Sequence, residues 1–299
     1  MTQADVLVVG GVGVDHIVRV KSLPLPVVDS MMVPPIVTVV GHTGNGVAFG
    51  VHTLGRASAM ADVIGDDAEG QLIRDTYSAA GIPMTFVTHI SGTRRSVNLV
   101  TEEGQRMSLY DPRHPFEFIP DSSLWREGIE RSRHVHVSIM NWARYALRDA
   151  VAAGRSTSTD LHDWDGVADY HKDFAYGADY VFVSAAALRD ESGVVADVFA
   201  RGRAQFVVVM AGSEGARVWQ RSDELPLRIS PISIPGRPVV DSNGAGDSFV
   251  AAFLCHYLDH GDVFGAARAG AVGGAWACGT LGTHTSFVDA ETLERLLAR

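Results

Sequence analysis

One stretch of the chain combines small residues, a carboxylate and the start of a helix. It reads Val240-Asp-Ser-Asn-Gly-Ala-Gly-Asp-Ser-Phe249, and apolar residues at helical spacing follow it. The small residues Gly244, Ala245 and Gly246 leave backbone N–H groups free at a helix N-terminus, where unpaired donors and the helix dipole attract an anion. Asp247 places a carboxylate beside that site. This arrangement suits taking a proton from a hydroxyl that attacks a phosphoryl group held by the amides.

A second interpretation of Asp247 stays open at this point. The helix dipole favours acidic residues in the first turn of any helix, so the carboxylate could serve helix stability alone. The two interpretations differ in where the side chain lies. A carboxylate far from any cleft, or locked in a buried ion pair, would exclude the catalytic role.

The whole segment resembles the second signature of the ribokinase-like (PfkB) carbohydrate kinase family, which reads Asp-Thr/Ser-x-Gly-Ala-Gly-Asp followed by small residues. Residues 241–242, 244–247 and 251–252 match that pattern. The resemblance implies an ATP-dependent kinase that uses Mg²⁺. It also implies that Asp247 is the catalytic base and that the residues from Gly244 to Gly246 form the anion hole.

The resemblance extends along the chain. The opening strand with Gly10, Gly11 and Asp15 is similar to the family's N-terminal segment, whose aspartate binds substrate hydroxyls. Residues 41–48 are similar to the first signature, and the turn at 212–215 is similar to the nucleotide-side turn. With polar residues near strand ends added, the predicted substrate contacts are Asp15, Gly41, His42, Asn45, Arg95, Asn98 and Asp160, and the predicted nucleotide contacts are Gly212, Gly215 and Asn243.

Three positions depart from the family pattern. Gly46 stands where the first signature usually has asparagine, and Met210 stands where a threonine is usual. The family's Asn-x-x-Glu, which organises Mg²⁺ and phosphate, is replaced by residues 184–187, Ser-Ala-Ala-Ala. The metal ligands are therefore left unassigned.

Short stretches indicate the class of acceptor. Residues 95–100, 156–166 and 240–247 are similar to those of family members that phosphorylate a hydroxymethyl group of a pseudo-oligosaccharide. We therefore expect a small sugar-like substrate. A nucleoside kinase of the same family is the alternative within this fold. A non-catalytic sugar- or nucleotide-binding protein with a decayed site is the alternative that the changes at 184–187 and 210 suggest.

Two polar clusters carry weaker signals. Residues 160–165, Asp-Leu-His-Asp-Trp-Asp, hold potential metal ligands that a metal-dependent hydrolase would use, although residues so close in sequence would fan apart. A polar strand end that faces the substrate, or a solvated loop, explains them equally well. Arg94 and Arg95 could attract a nucleotide phosphate, or they could lie in a solvated turn.

The order of elements predicts the fold that positions these residues. Strand-like and helical segments alternate from residue 121 onward, which is typical of βαβ units and a parallel sheet. We predict a single ribokinase-like α/β domain over residues 1–299, with a doubly wound, mostly parallel sheet. Extended excursions near 17–40 and 82–110 are expected to form a small β-sheet lid over the cleft. Exposed edges of that sheet could pair in a homodimer.

Composition excludes several classes of function. The chain has 299 residues and a net charge of −10, and a negative chain without a basic stripe is a poor candidate for binding nucleic acid. Its only lysines, Lys21 and Lys172, lie outside glycine-rich loops, which excludes a P-loop. No apolar stretch approaches the ~20 residues of a membrane span. The N-terminus lacks a secretory pattern. The two cysteines lie in apolar segments with a helical pattern, which fits a reducing compartment, so we expect a cytoplasmic protein.

Overall fold

The structure is a computed structural model that describes residues 3–102 and 104–298. In chain order its strands are β1 (Ala4–Val9), β2 (Gly13–Arg19), β3 (Val37–Gly41), β4 (Ser58–Ile64), β5 (Met84–Thr88), β6 (Arg95–Val100), β7 (Arg106–Asp111), β8 (Ser132–Ser138), β9 (Ser156–Asp160), β10 (Tyr180–Ser184), β11 (Phe206–Met210), β12 (Ala216–Gln220) and β13 (Leu227–Ile229). The helices are α1 (Thr43–Thr53), α2 (Ala68–Ala80), α3 (Ser123–Glu130), α4 (Ala143–Ala152), α5 (Lys172–Gly177), α6 (Glu191–Arg201), α7 (Ala245–His260), α8 (Val263–Ala277) and α9 (Ala290–Leu297). Within these described ranges, no helix has both the length and the apolar character that a membrane crossing requires.

A nine-stranded sheet forms the body of the molecule, in the order β13-β12-β11-β10-β9-β8-β1-β4-β5. The strands from β11 to β5 in this order are parallel, whereas β12 and β13 add to the edge in antiparallel fashion. Strand β1 shows why both faces are covered: Val6 and Val8 pack into one apolar core, and Leu7 and Val9 pack into a second core on the other face. The predicted doubly wound α/β fold is confirmed, while the sequence patterns had not identified β12 and β13.

A second sheet of four strands, ordered β3-β2-β6-β7, stands apart from the first. Its two central strands are parallel to each other, and each edge strand is antiparallel to its neighbour. The chain passes from β1 of the large sheet to β2 of the small one through Gly10 and Gly11, which both have positive φ. The connection between the two sheets is only three residues long, 10–12, so side chains of β2 lie close to the ends of the large sheet.

The two extended segments predicted to form the lid, near 17–40 and 82–110, differ in extent from the strands of the small sheet. Strand β5, which falls inside the predicted 82–110 excursion, pairs in parallel with β4 at the edge of the large sheet, from Met60↔Met84 to Ile64↔Thr88. The physical reason is that helix α2 forms an ordinary crossover, so the strand after it returns beside β4. In the first excursion, residues 20–36 form no strand, and the small sheet already begins at Gly13.

Candidate active site

A cavity of about 1720 Å³ lies between the two sheets. Its floor includes residues at the carboxyl ends of the parallel strands, such as Asp160, Ser184 and Met210. The small sheet supplies one wall through Asp15 of β2 and Asn98 of β6. The carboxyl ends of parallel strands are where open α/β sheets bind ligands, so this cavity is the candidate active site.

The N-terminus of α7 opens into this cavity. Gly244 precedes the helix with φ 74°, and its residue type allows that left-handed turn. Among the described residues, no acceptor is found for the N–H groups of Gly246 and Asp247, and residues 244–247 all line the cavity. The helix behind them is anchored by buried residues such as Phe253. Two N–H groups at the start of α7 are therefore available to an anion, as the predicted cradle requires.

Asp247 lines the cavity but is not free of partners. Its Oδ2 lies 2.7 Å from Nε2 of His284, whose side chain is 2% exposed, whereas that of Asp247 is 10% exposed. In the described part of the chain, no group hydrogen-bonds to the other carboxylate oxygen, Oδ1. A catalytic Asp247 would be excluded if the carboxylate lay far from any cleft or were locked in a buried ion pair. Asp247 lies at the cleft, and the second condition is met only in part, because one oxygen is held by the buried ring of His284 and the other faces the cleft.

His284 is in turn held by Asn45. The Nδ2 of Asn45 lies 3.2 Å from Nδ1 of His284 and also donates to the carbonyl of Val40 at 3.4 Å. Since an amide nitrogen can only donate, Nδ1 of the ring accepts, and the ring hydrogen resides on Nε2, facing Asp247. The Nε2–H of His284 therefore donates a hydrogen bond to Oδ2 of Asp247.

Asp15 forms a second carboxylate–imidazole pair on the opposite wall. Its Oδ1 lies 3.3 Å from Nε2 of His42, which also lies 3.1 Å from Oγ of Ser96. Burial raises the pKa of Asp15, but the hydrogen bond from His42 and the charge of His42 outweigh burial, so the pKa lies below its ordinary value of 3.8. Gly41 makes the approach possible, because a Cβ there would lie 2.2 Å from Oδ2 of Asp15. Asp15 is therefore held charged in the cavity.

Two further predicted substrate residues line the cavity. The side-chain oxygen of Asn98 accepts a hydrogen bond of 2.6 Å from Ser108, which leaves its amide nitrogen to donate. Asp160 is buried and accepts a 2.9 Å hydrogen bond from the backbone N–H of His162. Burial raises the pKa of Asp160 above 3.8, while His162 lowers it and the nearby charge of Asp247 raises it further. The predicted nucleotide-side glycines Gly212 and Gly215 also lie in the lining.

Four predicted contacts lie outside the cavity lining: Gly41, whose place beside Asp15 is given above, and three residues whose side chains have other partners. Arg95 points away from the cavity and pairs with Glu69 at 2.8 Å, because adjacent residues of a strand face opposite sides of the sheet. Asn45 is buried and does not line the cavity, so it reaches the site only through His284. Asn243 is buried as well, and its side-chain oxygen accepts from Arg106 instead of facing the nucleotide side. These residues lie outside the cavity lining in this structure, and their direct contact with a ligand stays a prediction.

One site residue escaped the sequence analysis, and a second has a position that neither of its two interpretations included. His284 lies 37 positions after Asp247 in the loop before α9, and no local pattern marks it. Arg94, expected in a turn or near phosphate, is 2% exposed and forms a buried ion pair with Asp62 while it also donates to the carbonyl of Val12. That pair joins the loop before β6 to β4 and fixes the base of the cavity wall.

The Asp160–Asp165 cluster does not form a metal centre by itself. Within residues 3–102 and 104–298, no group of three or more histidine, cysteine, aspartate or glutamate side chains is arranged to hold a metal ion. Asp165 instead accepts hydrogen bonds from the backbone N–H groups of Val167 and Ala168.

Comparison with known proteins agrees with this geometry. The family model described as pfkB family carbohydrate kinase matches residues 3–290. The chain is 40% identical to acarbose 7(IV)-phosphotransferase of Actinoplanes sp. SE50/110 over 97% of both chains. It is 28% identical to an ATP-dependent ribose-1-phosphate kinase of Halopiger xanaduensis over 82% of both chains.

Solved structures extend the comparison. The microbiome-derived acarbose kinase Mak1 is 97% identical and superposes with a TM-score of 0.97 over 100% of both chains. Ribokinase of Arabidopsis thaliana, at 20% identity and a TM-score of 0.80 over 100% of both chains, shares the fold. Motif, cavity and relatives thus lead to one conclusion. The chain belongs to the pfkB family of carbohydrate kinases, and it is an ATP-dependent kinase with a small sugar as acceptor.

Proposed function

We propose that this kinase transfers the γ-phosphoryl group of ATP to a hydroxymethyl group of acarbose or a closely related pseudo-oligosaccharide. One observation carries the chemistry: the unpartnered Oδ1 of Asp247 and the free N–H groups of the α7 N-terminus face the same cavity. The similarity to the acarbose phosphotransferase and to Mak1 supports the choice of acceptor.

The proposed reaction assigns one task to each group. The acceptor oxygen attacks the γ-phosphorus, its proton passes to Oδ1 of Asp247, and the bond from the γ-phosphorus to the bridging oxygen breaks to leave ADP. The N–H groups of Gly246 and Asp247 stabilise the charge that spreads over the transferring group. Catalysis then depends on position and electrostatics, because the protein forms no covalent bond to the phosphoryl group.

The wall made by the small sheet is proposed to bind the acceptor as a lid. Asp15, kept charged by its lowered pKa, accepts hydrogen bonds from sugar hydroxyls, and Asn98 donates to them. Beyond Asp15 the lining continues along the aromatic rings of Tyr110, Phe116 and Tyr170. A cavity of about 1720 Å³ exceeds the ~300–1,000 Å³ typical of one small ligand, which leaves room for ATP and several sugar rings.

Magnesium belongs to the same proposal. Asp160 and Asp247 line one cavity, and the charge of Asp247 raises the pKa of Asp160. The buried carboxylate of Asp160 suits a hard divalent cation, with ATP oxygens and water as its other ligands, while Asp247 keeps Oδ1 for the acceptor proton. When bound, Mg²⁺ would neutralise the phosphate charge. Asp160 would then take the place of the family's Asn-x-x-Glu, which is missing at 184–187.

We also propose that the outer face of the small sheet pairs two copies of the chain. Met107 and Leu109 of the edge strand β7 are 43% and 53% exposed, while Ser108 and Tyr110 between and beside them line the cavity. Replacing Leu109 by lysine should convert a dimer to a monomer in light scattering. A wild-type protein that is monomeric at micromolar concentration would contradict this proposal.

An acceptor panel tests the proposed function. Purified protein with Mg·ATP should release ADP and give a singly phosphorylated product with acarbose, at a kcat/KM at least ten times that with simple hexoses or adenosine. A preference for adenosine would favour the nucleoside kinase alternative. Thermal stabilisation by acarbose without ADP release would favour a binding protein with a decayed site.

A further inference from the structure

Gly46, which stands where the family's first signature usually has asparagine, lies next to the imidazole ring of His284. A Cβ at position 46 would lie 2.2 Å from Nε2 of His284 and 2.5 Å from Cβ of Asp247. Any side chain at position 46 would therefore occupy the volume that the imidazole fills. Glycine at this position is what allows the ring to reach Asp247.

The ring is fixed on every side that the structure describes. Its side chain is 2% exposed, and it lies nearly parallel to the ring of Phe287 with centroids 5.9 Å apart. Asn45 occupies Nδ1, and Asp247 occupies Nε2. The backbone of His284 has φ 58°, a conformation that non-glycine residues rarely adopt and that tends to be retained at functional sites.

We infer that His284 is the positioning residue for the base of this kinase, through a chain of hydrogen bonds from Asn45 to His284 to Asp247. The inference rests on the role of Asp247 in the proposed function. Asn45 fixes the tautomer, so that the Nε2–H of His284 always donates to Oδ2 of Asp247. Oδ1 is then turned toward the cleft with its lone pairs available to the acceptor hydroxyl.

This role predicts a specific kinetic signature. His284 contacts neither the phosphoryl group nor the acceptor in the proposed reaction, so its loss should lower kcat and leave the KM values for ATP and acceptor nearly unchanged. A carboxylate free to rotate spends less time in the reactive orientation, and misplaced catalytic groups cost about 10- to 100-fold in rate. Binding of the acceptor at Asp15 should be unaffected.

Two substitutions of similar size separate the hydrogen bond from the packing. His284→Gln carries an amide nitrogen about as far from the backbone as Nε2, so it can still donate to Asp247. His284→Asn keeps the contact with Asn45 and suits a positive φ, but it is too short to reach Asp247. We expect His284→Asn to lower kcat at least tenfold and His284→Gln to restore most of that loss, although asparagine is the better residue for the backbone.

A double-mutant cycle tests the link through Asn45. Asn45→Ala, His284→Ala and the double variant are compared in kcat and in the KM for acceptor. If Asn45 acts through His284, its replacement should lower kcat in the wild type and have almost no effect in the His284→Ala background. Losses that multiply, with a raised acceptor KM for Asn45→Ala, would instead indicate direct contact of Asn45 with the sugar.

The outcomes distinguish this inference from the proposed function. A wild-type protein without kinase activity on any acceptor of the panel defeats the proposed function. An active wild type with His284→Asn at full kcat, or with His284→Gln no better than His284→Asn, overturns the inference alone. Thermal unfolding of each variant provides the control, and equal midpoints assign the kinetic differences to the position of Asp247.

Discussion

Two carboxylate–imidazole pairs line the same cavity, and they differ in how the carboxylate is held. Asp15 shares His42 with Ser96, at a distance of 3.3 Å. Asp247 receives the undivided Nε2–H of His284 at 2.7 Å. The comparison suggests that one pair keeps a charge ready for several hydroxyls, while the other presents one defined oxygen to one proton.

Both histidines are held in an unusual backbone conformation. Among the described non-glycine residues, those with positive φ are His42, Arg113, His162 and His284, and the three histidines all line the cavity. Such strain persists only where the surrounding structure enforces it. The contrast between the two pairs therefore arises from their partners, Ser96 in one case and Asn45 in the other.

The largest effect is expected from Asp247→Asn. An amide cannot take the proton of the acceptor, so kcat should fall about 10³-fold or more, within the range for loss of a general base. The amide oxygen can still accept from His284, so the thermal midpoint should stay within a few degrees. Steady-state ADP release measures the first quantity and calorimetry the second. A kcat within tenfold of the wild type would refute the role of base.

The next effect is expected from Asp15→Asn on the opposite wall. Losing charged hydrogen bonds to sugar hydroxyls should raise the acceptor KM by about 10- to 100-fold, as the ~1.5–3 kcal/mol of such bonds implies. The KM for ATP should change little. Initial rates over a grid of both substrates measure the two constants. Equal changes in both would show that Asp15 acts on the whole site and not on the acceptor.

A smaller, pH-dependent effect is expected from His42→Ala. In the wild type the pKa of Asp15 lies below 3.8, so Asp15 stays charged and the acceptor KM should be flat between pH 7 and 5. Without His42 the lowering contacts are lost while burial remains, so the pKa rises. The acceptor KM of the variant should then increase as the pH falls toward 5. Parallel profiles for variant and wild type would contradict this dependence.

The smallest effect on catalysis is expected from His134, a histidine without a carboxylate partner. It contacts Ser156 and Ser158 on β9, and burial, then the charge of His136, lowers its pKa from 6.5 to about 3. The unfolded chain takes up the proton below pH 6.5 and the folded chain does not, so stability falls as the pH drops through this window. The slope is at most about 1.4 kcal/mol per pH unit.

The variant His134→Gln isolates that contribution. Urea unfolding at pH 6.5, 5.5 and 4.5 should show a shallower decline for the variant than for the wild type, with kcat at pH 7 unchanged. Identical declines would mean that His134 is protonated in the folded state. The result would also show whether a histidine needs a carboxylate neighbour to hold a proton in this molecule.

Contiguous patterns made the cradle predictable. Residues 244–247 carry the glycines, the helix start and the carboxylate in one stretch, so local chemistry was enough. The alternation of strands and helices likewise fixed the fold class. Strand β5 was assigned to the wrong sheet because strand-like composition does not reveal the pairing partner.

Contacts distant in sequence were not predictable. His284 is visible only once folding brings its loop against α1 and α7, and Gly46 has meaning only as the space for that ring. Arg94 and Arg95 show that the face of the sheet on which a side chain lies was not predictable either. A shift of one residue in a strand exchanges its faces, so the sequence could not tell which arginine is buried and which pairs with Glu69.

The most direct measurement is a crystal structure of the kinase with acarbose and a non-hydrolysable ATP analogue. We predict one hydroxymethyl oxygen within about 2.6–3.2 Å of Oδ1 of Asp247, the terminal phosphate on the N–H groups of Gly246 and Asp247, and Oδ2 still bound to His284. An acceptor whose hydroxyls all lie beyond reach of Asp247, or a terminal phosphate bound away from the start of α7, would contradict the assignment of Asp247 as base.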